Sequence, residues 1–252
     1  MVSNSLSLNK LKTIISYILA IMTIIAFMVF VALRQTDDFS FAPFAPYRNV
    51  ILNGIKNTIL VSLISLLGSM ILGFILYLLQ KSKIKYFNAL IDVFTEIIYG
   101  TPLLVLIIVT AFLIGPAFNS YNRNLFGVLA LIVYMSPYMK NVFKAAFSSI
   151  SHDQYLAMDL FGFTPFQRYF YIIIPQVIRI LMPPLMNNFS LIIKGSALLN
   201  LLSYPELFFT IDVAQSRNFA YVEGYILMWG LYLLITIPLS QFTKYIERKL
   251  SL

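Results

Sequence analysis

The sequence of 252 residues contains no cysteine and one histidine, His152. The lack of cysteine excludes disulfides, cysteine-ligated zinc and iron–sulfur clusters, and a lone histidine argues against a multi-histidine metal site or a histidine relay. Charged residues are scarce as well, at 11%, whereas a soluble domain carries about 25%. Hydrophobic residues reach 60%. This balance excludes an ordinary soluble protein and a disordered chain, and it predicts an integral membrane protein.

Six long apolar stretches are each of the length that a transmembrane helix needs, about 20 residues. They cover residues 13–33, 57–80, 97–118, 125–147, 177–202 and 224–243. We therefore expect an all-α polytopic membrane protein with six transmembrane helices. The third is interrupted at Thr101-Pro102, and the fifth is broken by Pro183-Pro184 and by Lys194. The first resembles a signal peptide because Lys10 and Lys12 precede it, but its length and the lack of a small-x-small cleavage site favour a retained helix.

Lysine and arginine in the loops predict the orientation, because cytoplasmic loops are enriched in both. One side carries Lys10, Lys12, Lys81, Lys83, Lys85, Lys140, Lys144, Arg168, Arg179, Lys244, Arg248 and Lys249. The other side carries Arg34, Arg48, Arg123 and Arg217, with Lys56 near a helix entrance. We expect the first side, with both termini, in the cytoplasm. The net charge of +8 reflects these cytoplasmic lysines and arginines, which also attract anionic lipid. It does not indicate a nucleic-acid partner.

The segment 150–175, between the fourth and fifth apolar stretches, has two helix-start signals. Ser151–Gln154 and Thr164–Gln167 both fit capping boxes, and Gly162 stands between them, where a helix end favours glycine. We expect two short cytoplasmic helices, the second ending at Pro175. An apolar stripe includes Tyr155, Leu156 and Met158. It either rests on the lipid interface or on the protein's own helix ends, or it forms a docking ridge for a cytosolic partner.

The same segment carries the clearest resemblance to a known family. Leu156-Ala157-Met158, then Gly162, then Ile172-Ile173-Ile174-Pro175 have the spacing of the Glu-Ala-Ala…Gly…Ile-x-Leu-Pro loop. Permease subunits of binding-protein-dependent ABC importers use this loop to engage their ATPase. The resemblance implies that Gln154, Tyr155, Leu156, Ala157, Met158, Gly162 and Pro175 contact the ATPase.

Flanking motifs resemble the polar amino acid uptake branch of that family. Its Arg-Gly-Thr-Pro-Leu-Leu is matched by Tyr99-Gly100-Thr101-Pro102-Leu103-Leu104, and its Pro-Gln-Ala-x-Arg by the residues 175–179. Pro-Pro-Leu followed by asparagine appears at 183–187, and Lys194 begins the match to Lys-Asp-Thr/Ser-Ser-Leu. The sequence departs from the branch at three of these motif positions. Tyr99 replaces an arginine, and Asn141 replaces the glutamate of Tyr-x-x-Glu-x-x-Arg. In this motif Lys144 also replaces the arginine.

The resemblance implies a five-helix type I importer core at residues 51–252 with a coupling loop at 150–175, preceded at 1–50 by an added helix and an external loop. The chain would be a permease of the bacterial cytoplasmic membrane and not an enzyme. It would assemble with two ATPase subunits, which bind ATP and Mg²⁺, with a second permease (itself or a paralogue), and with an extracytoplasmic substrate-binding protein. No cofactor is expected in this chain. Membrane lipid surrounds the assembly, and an amino acid is the substrate.

Polar residues and helix breaks within the spans are the candidates for the translocation pathway. They are Thr101, Pro102, Tyr138, Asn141, Asn187, Asn188, Lys194 and Ser196. A charge at mid-bilayer costs about 2.5–3.5 kcal/mol on insertion scales, so Lys194 either faces the pathway, or snorkels to an interface, or pairs with Glu206. Likewise Thr101-Pro102 forms either a pathway-facing break or a simple kink. Asp92 and Glu96 are expected to be solvated, with Lys83 and Lys85 nearby.

Two other functional classes remain at the level of the sequence. One is a secondary transporter driven by an ion gradient, although no acidic residue lies deep in a span, where proton relays usually need one. The other is a membrane scaffold without a transport role. The sequence has no Walker A pattern, so an ATP site is expected in another subunit.

Overall fold

A computed structural model describes residues 2–35, 39–82 and 84–250 of the chain, and these ranges contain helices and no β-strand. Lys83, one of the cations in the orientation argument, lies outside the described residues. The helices are α1 (Val2–Gln35), α2 (Arg48–Gln80), α3 (Lys85–Gly100), α4 (Leu103–Ala117), α5 (Arg123–Ser148), α6 (His152–Leu160), α7 (Pro165–Leu202), α8 (Leu207–Asn218) and α9 (Tyr221–Leu250). A 3₁₀ helix, Ala42–Tyr47, precedes α2.

Five of these helices, α1, α2, α5, α7 and α9, contain apolar segments long enough to cross a membrane. The pair α3 and α4 passes the same test as one broken span, bent by 111°. Counting that pair gives six spans in the described part of the chain, which confirms the prediction of an all-α polytopic membrane fold.

The bend between α3 and α4 lies at Thr101-Pro102, as the sequence predicts. Thr101 has an extended backbone, with φ −103° and ψ 123°, because a residue before proline avoids the helical region. The prediction of one span over 97–118 is wrong at its start, since residues 97–100 belong to α3. Asp92 and Glu96 are exposed on α3, and the Asp92 carboxylate accepts a hydrogen bond from Gln80 Nε2 at 2.9 Å.

Two expected interruptions of the fifth span are absent from the structure. No break occurs at Pro183-Pro184 or at Lys194, because α7 runs without a gap from Pro165 to Leu202. For the same reason the expected second short helix does not end at Pro175. The fixed φ of proline is close to that of a helix, and the residue lacks one backbone N–H donor. In α7 the helix continues in spite of the hydrogen bonds that these prolines cannot form. Before Pro175 the chain forms a π-helical turn, Arg168–Ile173, which changes the hydrogen-bonding pattern locally.

Helix α2 packs along α5 and forms the most extensive helix pair. At one end of the bundle, a core cluster joins these two helices to α6 and α7 through residues such as Met139, Met158 and Ile173. At the other end, a smaller cluster joins the 3₁₀ helix, α2, α8 and α9. In contrast, no residue between Leu11 and Val31 of α1 is buried. The bundle therefore has an α6 end and an α8 end, at opposite ends of α2.

Glu206 is fully buried at the α8 end and links three helices. Its Oε2 accepts a hydrogen bond from Tyr232 Oη at 2.7 Å and one from the Thr58 hydroxyl at 3.4 Å. Its Oε1 accepts from the Phe209 amide at 2.8 Å, which caps α8. Burial raises the pKa of Glu206, an effect that the hydrogen bond from Tyr232 opposes. The structure therefore shows Glu206 joining α2, α8 and α9, and the suggested pair with Lys194 is wrong for the residues described.

Candidate translocation pathway and coupling segment

The short helix α6 begins and ends where the sequence predicts. The Ser151 hydroxyl accepts a hydrogen bond from the Gln154 amide at 3.3 Å, which satisfies one of the free donors of the first turn. At the other end, Gly162 has φ +67°, a conformation that costs a side-chain-bearing residue about 1–2 kcal/mol. The amides of Gly162 and Phe163 donate to the carbonyls of Asp159 and Met158, both at 3.0 Å.

The start of α7 is fixed against the end of α6. Thr164 and Gln167 form a complete capping box, in which each side chain accepts from the other residue's amide. Arg168 donates from Nε to the Phe163 carbonyl at 2.8 Å and forms an ion pair with Asp159. This pair crosses the glycine, so the turn between the two helices has a defined angle.

The apolar stripe on α6 divides between two faces. Tyr155 and Met158 turn toward the bundle, where Met158 is only 3% exposed. Leu156 and Leu160 turn away, and Leu160 is 87% exposed. The expectation that Tyr155, Leu156 and Met158 form one ridge is therefore wrong, because residues three apart share one face while position 156 lies about 100° away from 155. Gln154, Ala157, Gly162 and Pro175 are exposed.

The outward side chains of α6 and the first turns of α7 form an exposed apolar surface, here called the coupling surface. It consists of Leu156, Leu160, Phe161, Phe166, Phe170 and Tyr171. Phe166 and Phe170 stack with ring centroids 5.2 Å apart, which holds two of its members in place. Apolar patches of this kind, bordered by polar residues, mark interaction sites.

A polar cavity of about 420 Å³ lies between α7 and α9, within the membrane-spanning part of both helices. We call it the α7–α9 cavity. Helix α7 contributes Asn187, Ser190, Leu191 and Lys194, and α9 contributes Thr236, Ile237, Ser240 and Thr243. Polar residues three, four and seven positions apart share one helix face, so two facing polar stripes produce the cavity.

A second cavity, of about 270 Å³, lies between α4, α5 and α7. Tyr134 and Tyr138 of α5 and Gly195 of α7 contribute to its wall. Leu191 lines both cavities, so the two adjoin at this residue. Tyr138 packs against Tyr99 of α3, with ring centroids 5.0 Å apart.

The structure brings only some of the candidate pathway residues together. Asn187 and Lys194 line the same cavity. Asn188 lies on another face of α7, buried, with its amide 3.6 Å from the Met139 sulfur. Ser196 is also buried, and its hydroxyl donates to the Ile193 carbonyl at 2.8 Å. Thr101, with its hydroxyl bonded to the Ile97 carbonyl at 2.6 Å, is likewise absent from the cavity lining.

Sequence reasoning missed four polar residues of the α7–α9 cavity. They are Ser190, Thr236, Ser240 and Thr243. A signal was present, because positions 236, 240 and 243 follow helical spacing in an otherwise apolar stretch.

Two of the departures from the family pattern, Tyr99 and Asn141, face each other across α3 and α5. Asn141 Nδ2 donates a hydrogen bond to Tyr99 Oη at 2.8 Å. Where the branch has an arginine and a glutamate, this chain has a neutral hydrogen-bonded pair. Next to Asn141, the buried Lys140 donates from Nζ to Oγ1 of Thr95, one turn before Tyr99 on α3, at 3.1 Å. This bond forms a second link between these helices.

Solved structures share this fold. A chain from the crystal structure of an amino acid ABC transporter with histidines superposes with a TM-score of 0.74 at 26% identity, covering 84% of this chain and 99% of that one. A chain of the MetNI methionine ABC transporter, at 15% identity, gives a TM-score of 0.63 over 82% of this chain and 98% of that one. The second likeness concerns the fold alone.

Sequence comparison finds relatives over most of the chain. The probable glutamine ABC transporter permease protein GlnM of Bacillus subtilis (strain 168) is 32% identical over 200 residues, which are 79% of this chain and 93% of GlnM. The L-cystine transport system permease protein TcyB of the same organism is 30% identical over 208 residues, 80% of this chain and 87% of TcyB. The family described as binding-protein-dependent transport system inner membrane component matches residues 69–252. This chain therefore belongs to the family of inner membrane components of binding-protein-dependent transport systems.

Proposed function

We propose that this chain is the permease subunit of an ATP-driven ABC importer and forms a pathway for amino acids across the cytoplasmic membrane. Its relatives include permeases named for glutamine and cystine transport. The α7–α9 cavity is the observation that carries the proposal for the chain itself. It is a polar cavity between two membrane-spanning helices, and it holds a lysine.

Lys194 supplies the chemistry that an amino acid requires. Its side chain is exposed to the cavity. Lys194 forms no ion pair with a described carboxylate, since the ion pair in the described part of the chain joins Arg168 to Asp159. The lysine ammonium is therefore available to the α-carboxylate of an amino acid, and the hydroxyls of Ser190, Thr236 and Ser240 offer further hydrogen bonds. A membrane-embedded charge is costly, so such a lysine indicates a functional site.

Replacing Lys194 with methionine should leave membrane insertion and yield intact, because the change removes a charge from a membrane-spanning helix. Uptake of a transported amino acid into proteoliposomes should fall about tenfold or more, since a hydrogen bond to a charged group contributes about 1.5–3 kcal/mol. ATP hydrolysis stimulated by the loaded binding protein should fall with it.

Lys244→Met is the matched control for that experiment. Lys244 belongs to the same helix as Thr243 but does not line the cavity, so its loss should leave uptake unchanged. Unaltered uptake kinetics in Lys194→Met would assign this lysine to snorkelling at an interface.

The remaining partners follow from the coupling surface and from the family. We propose that the coupling surface docks into a groove of an ATPase subunit, and that two ATPases, which bind ATP and Mg²⁺, act on two permease subunits. An extracytoplasmic binding protein would deliver the amino acid. ATP-driven closure of the ATPases would move α6, and with it α7, and thereby switch the side to which the α7–α9 cavity opens.

We further propose that both termini and the α6 end lie in the cytoplasm. Single cysteines at Ser40 and Ser216 should then react with a membrane-impermeant maleimide in intact cells, since the chain has no other cysteine and both serines are exposed. The two labels must agree, because the Asn218 side chain donates to the Pro43 carbonyl at 3.2 Å and holds both segments at the α8 end.

Ser148→Cys, exposed near the α6 end of α5, provides the opposite control for the labelling. It should react only after the cells are lysed. Labelling of Ser148→Cys in intact cells, with protection of the other two, would reverse the orientation.

A secondary transporter driven by an ion gradient is the alternative that the sequence leaves open. The family match over residues 69–252 argues against it, because members of this family depend on a binding protein. Within the described chain, the buried carboxylates include Glu206 and Glu223, and both lie outside the α7–α9 cavity.

A further inference from the structure

A further cavity lies outside the proposed pathway, at the α6 end of the bundle. It measures about 700 Å³ and opens between the ends of α2 and α5 on one side and α6 and α7 on the other. We call it the α6-end pocket. None of its lining residues belongs to the α7–α9 cavity or to the coupling surface.

One wall of the α6-end pocket is aromatic and preformed. Tyr77 and Phe147 stack with ring centroids 5.4 Å apart and planes within 10°, and Phe74 packs edge-on against Phe143 at 5.1 Å. Tyr155 of α6 and Tyr169 of α7 complete the lining on the other side. This wall offers a long apolar contact at the ends of the membrane-spanning helices α2 and α5, and tyrosines concentrate where such helices meet a membrane surface.

The pocket also contains two cations, Lys81 at the end of α2 and Lys144 on α5. Both side chains are exposed, and in the described ranges neither forms an ion pair with a carboxylate. The acidic residue bonded to a lining side chain is Asp92, which accepts from Gln80. The pocket therefore combines an apolar wall with a positive edge, and its ligand should carry a negative group joined to a long apolar part.

We propose that the α6-end pocket binds an anionic phospholipid of the adjoining leaflet, with its phosphate at Lys81 and Lys144 and an acyl chain along the aromatic wall. Basic pockets between membrane helices bind anionic headgroups in this way. Free phosphate would leave the aromatic wall unused, and a cation would meet two lysines. Because Tyr155 and Tyr169 belong to the coupling segment, the lipid would contact the helices that join the membrane part to the ATPase.

The site can be tested by lipid quenching in the assembled transporter. A bimane fluorophore is attached to Ser148→Cys, a pocket-lining position in a chain without other cysteines, before assembly with the ATPase. Two vesicle preparations contain the same mixture of phosphatidylglycerol and phosphatidylcholine, with bromine on the chains of one lipid or the other. Brominated phosphatidylglycerol should quench more strongly.

The lysines should determine this preference. A basic residue near an anionic headgroup contributes about fivefold in affinity, so Lys81→Gln and Lys144→Gln should each reduce the relative quenching constant about fivefold, and the double variant about thirtyfold. Lys244→Gln is the matched control, a cation of α9 that does not line the pocket, and it should leave the preference unchanged.

Three results would overturn the proposal. Equal quenching by both brominated lipids would show no selection of the anionic headgroup, and a preference that persists in the double variant would assign it to another site. Absence of quenching by either lipid would show that lipid chains do not enter the pocket in the assembled transporter. None of these results bears on the α7–α9 cavity, because the two sites share no lining residue. The proposed transport function is therefore tested independently of the lipid site.

Discussion

Leu160→Asp should abolish co-purification of the ATPase while the permease itself still inserts and purifies. The side chain is 87% exposed, so the fold loses no packing when it changes. In a docked groove, however, the carboxylate would be buried without a partner. The loss of a hot-spot contact at the centre of an interface costs about 2 kcal/mol or more, which corresponds to roughly a thirtyfold weaker association. Leu156→Asp should act alike.

Phe219→Asp is the matched control for the coupling surface. Phe219 is 78% exposed and lies between α8 and α9, at the opposite end of the bundle. It should leave both ATPase co-purification and ATP hydrolysis at the values of the unmodified chain. If Leu160→Asp and Leu156→Asp also retained those values, the coupling surface would not be the contact with the ATPase.

Substitutions at two glycines test the orientation of the coupling surface without changing its side chains. An added Cβ meets no atom within 4 Å at Gly162 or at Gly230, so neither alanine substitution creates a clash. Only Gly162 has a positive φ, +67°. Gly162→Ala should therefore lower binding-protein-stimulated ATP hydrolysis, and Gly162→Val should do so more strongly, while Gly230→Ala should leave it unchanged.

The second large effect is expected at Gly73, where α2 approaches α5. A Cβ at this position would lie 2.5 Å from Met139 Cβ, 2.8 Å from the Ser136 carbonyl oxygen and 2.9 Å from the Lys140 amide nitrogen. Two of these atoms belong to the backbone, so α5 itself must move. Overpacking of this kind costs about 1–3 kcal/mol, and Gly73→Ala should lower the Tm of the purified permease by several degrees.

Gly68→Ala, five residues earlier on α2, is the control for that measurement. Its Cβ would approach Ile132 Cδ1 at 2.6 Å and Ile132 Cγ1 at 2.9 Å, and an isoleucine side chain can change rotamer. The Tm of this variant should fall less than that of Gly73→Ala. Equal Tm values for the two variants would mean that the α2–α5 approach does not limit the stability of the bundle.

Local chemistry explains which parts of the fold the sequence could predict. A cap, a glycine turn and a proline break depend on a few neighbouring residues, so Thr164, Gly162 and Thr101-Pro102 could be placed in advance. The unbroken course of α7 could not be predicted. A proline in the sequence shows which backbone donor is missing, but it does not show whether tertiary packing tolerates that loss. Tertiary contact also decided between the two faces of α6, where Met158 is buried and Leu160 is exposed.

The pathway residues show the same limit. A polar residue in a span predicts that its side chain avoids lipid, but several helix neighbours can meet that need. Asn188 meets it by lying against Met139 and Ser196 by bonding to its own helix, whereas Lys194 faces a cavity. The contact between Tyr99 and Asn141 lay beyond a single sequence as well, because it joins positions 42 residues apart.

The unbroken course of α7 also has a mechanical consequence. The helix contains 38 residues and is therefore about 57 Å long, so it extends well beyond the hydrocarbon layer of about 30 Å. It acts as a stiff lever, with Phe166 near one end and Lys194 about two turns from the other. A tilt of about 5° around its midpoint would displace the two ends by about 2.5 Å in opposite directions. Lys194 lies about 16 Å from the midpoint and would move by about 1.4 Å. A shift of that size would stretch a hydrogen bond of about 2.9 Å beyond its range, so a small rotation would suffice to make or break a contact at Lys194.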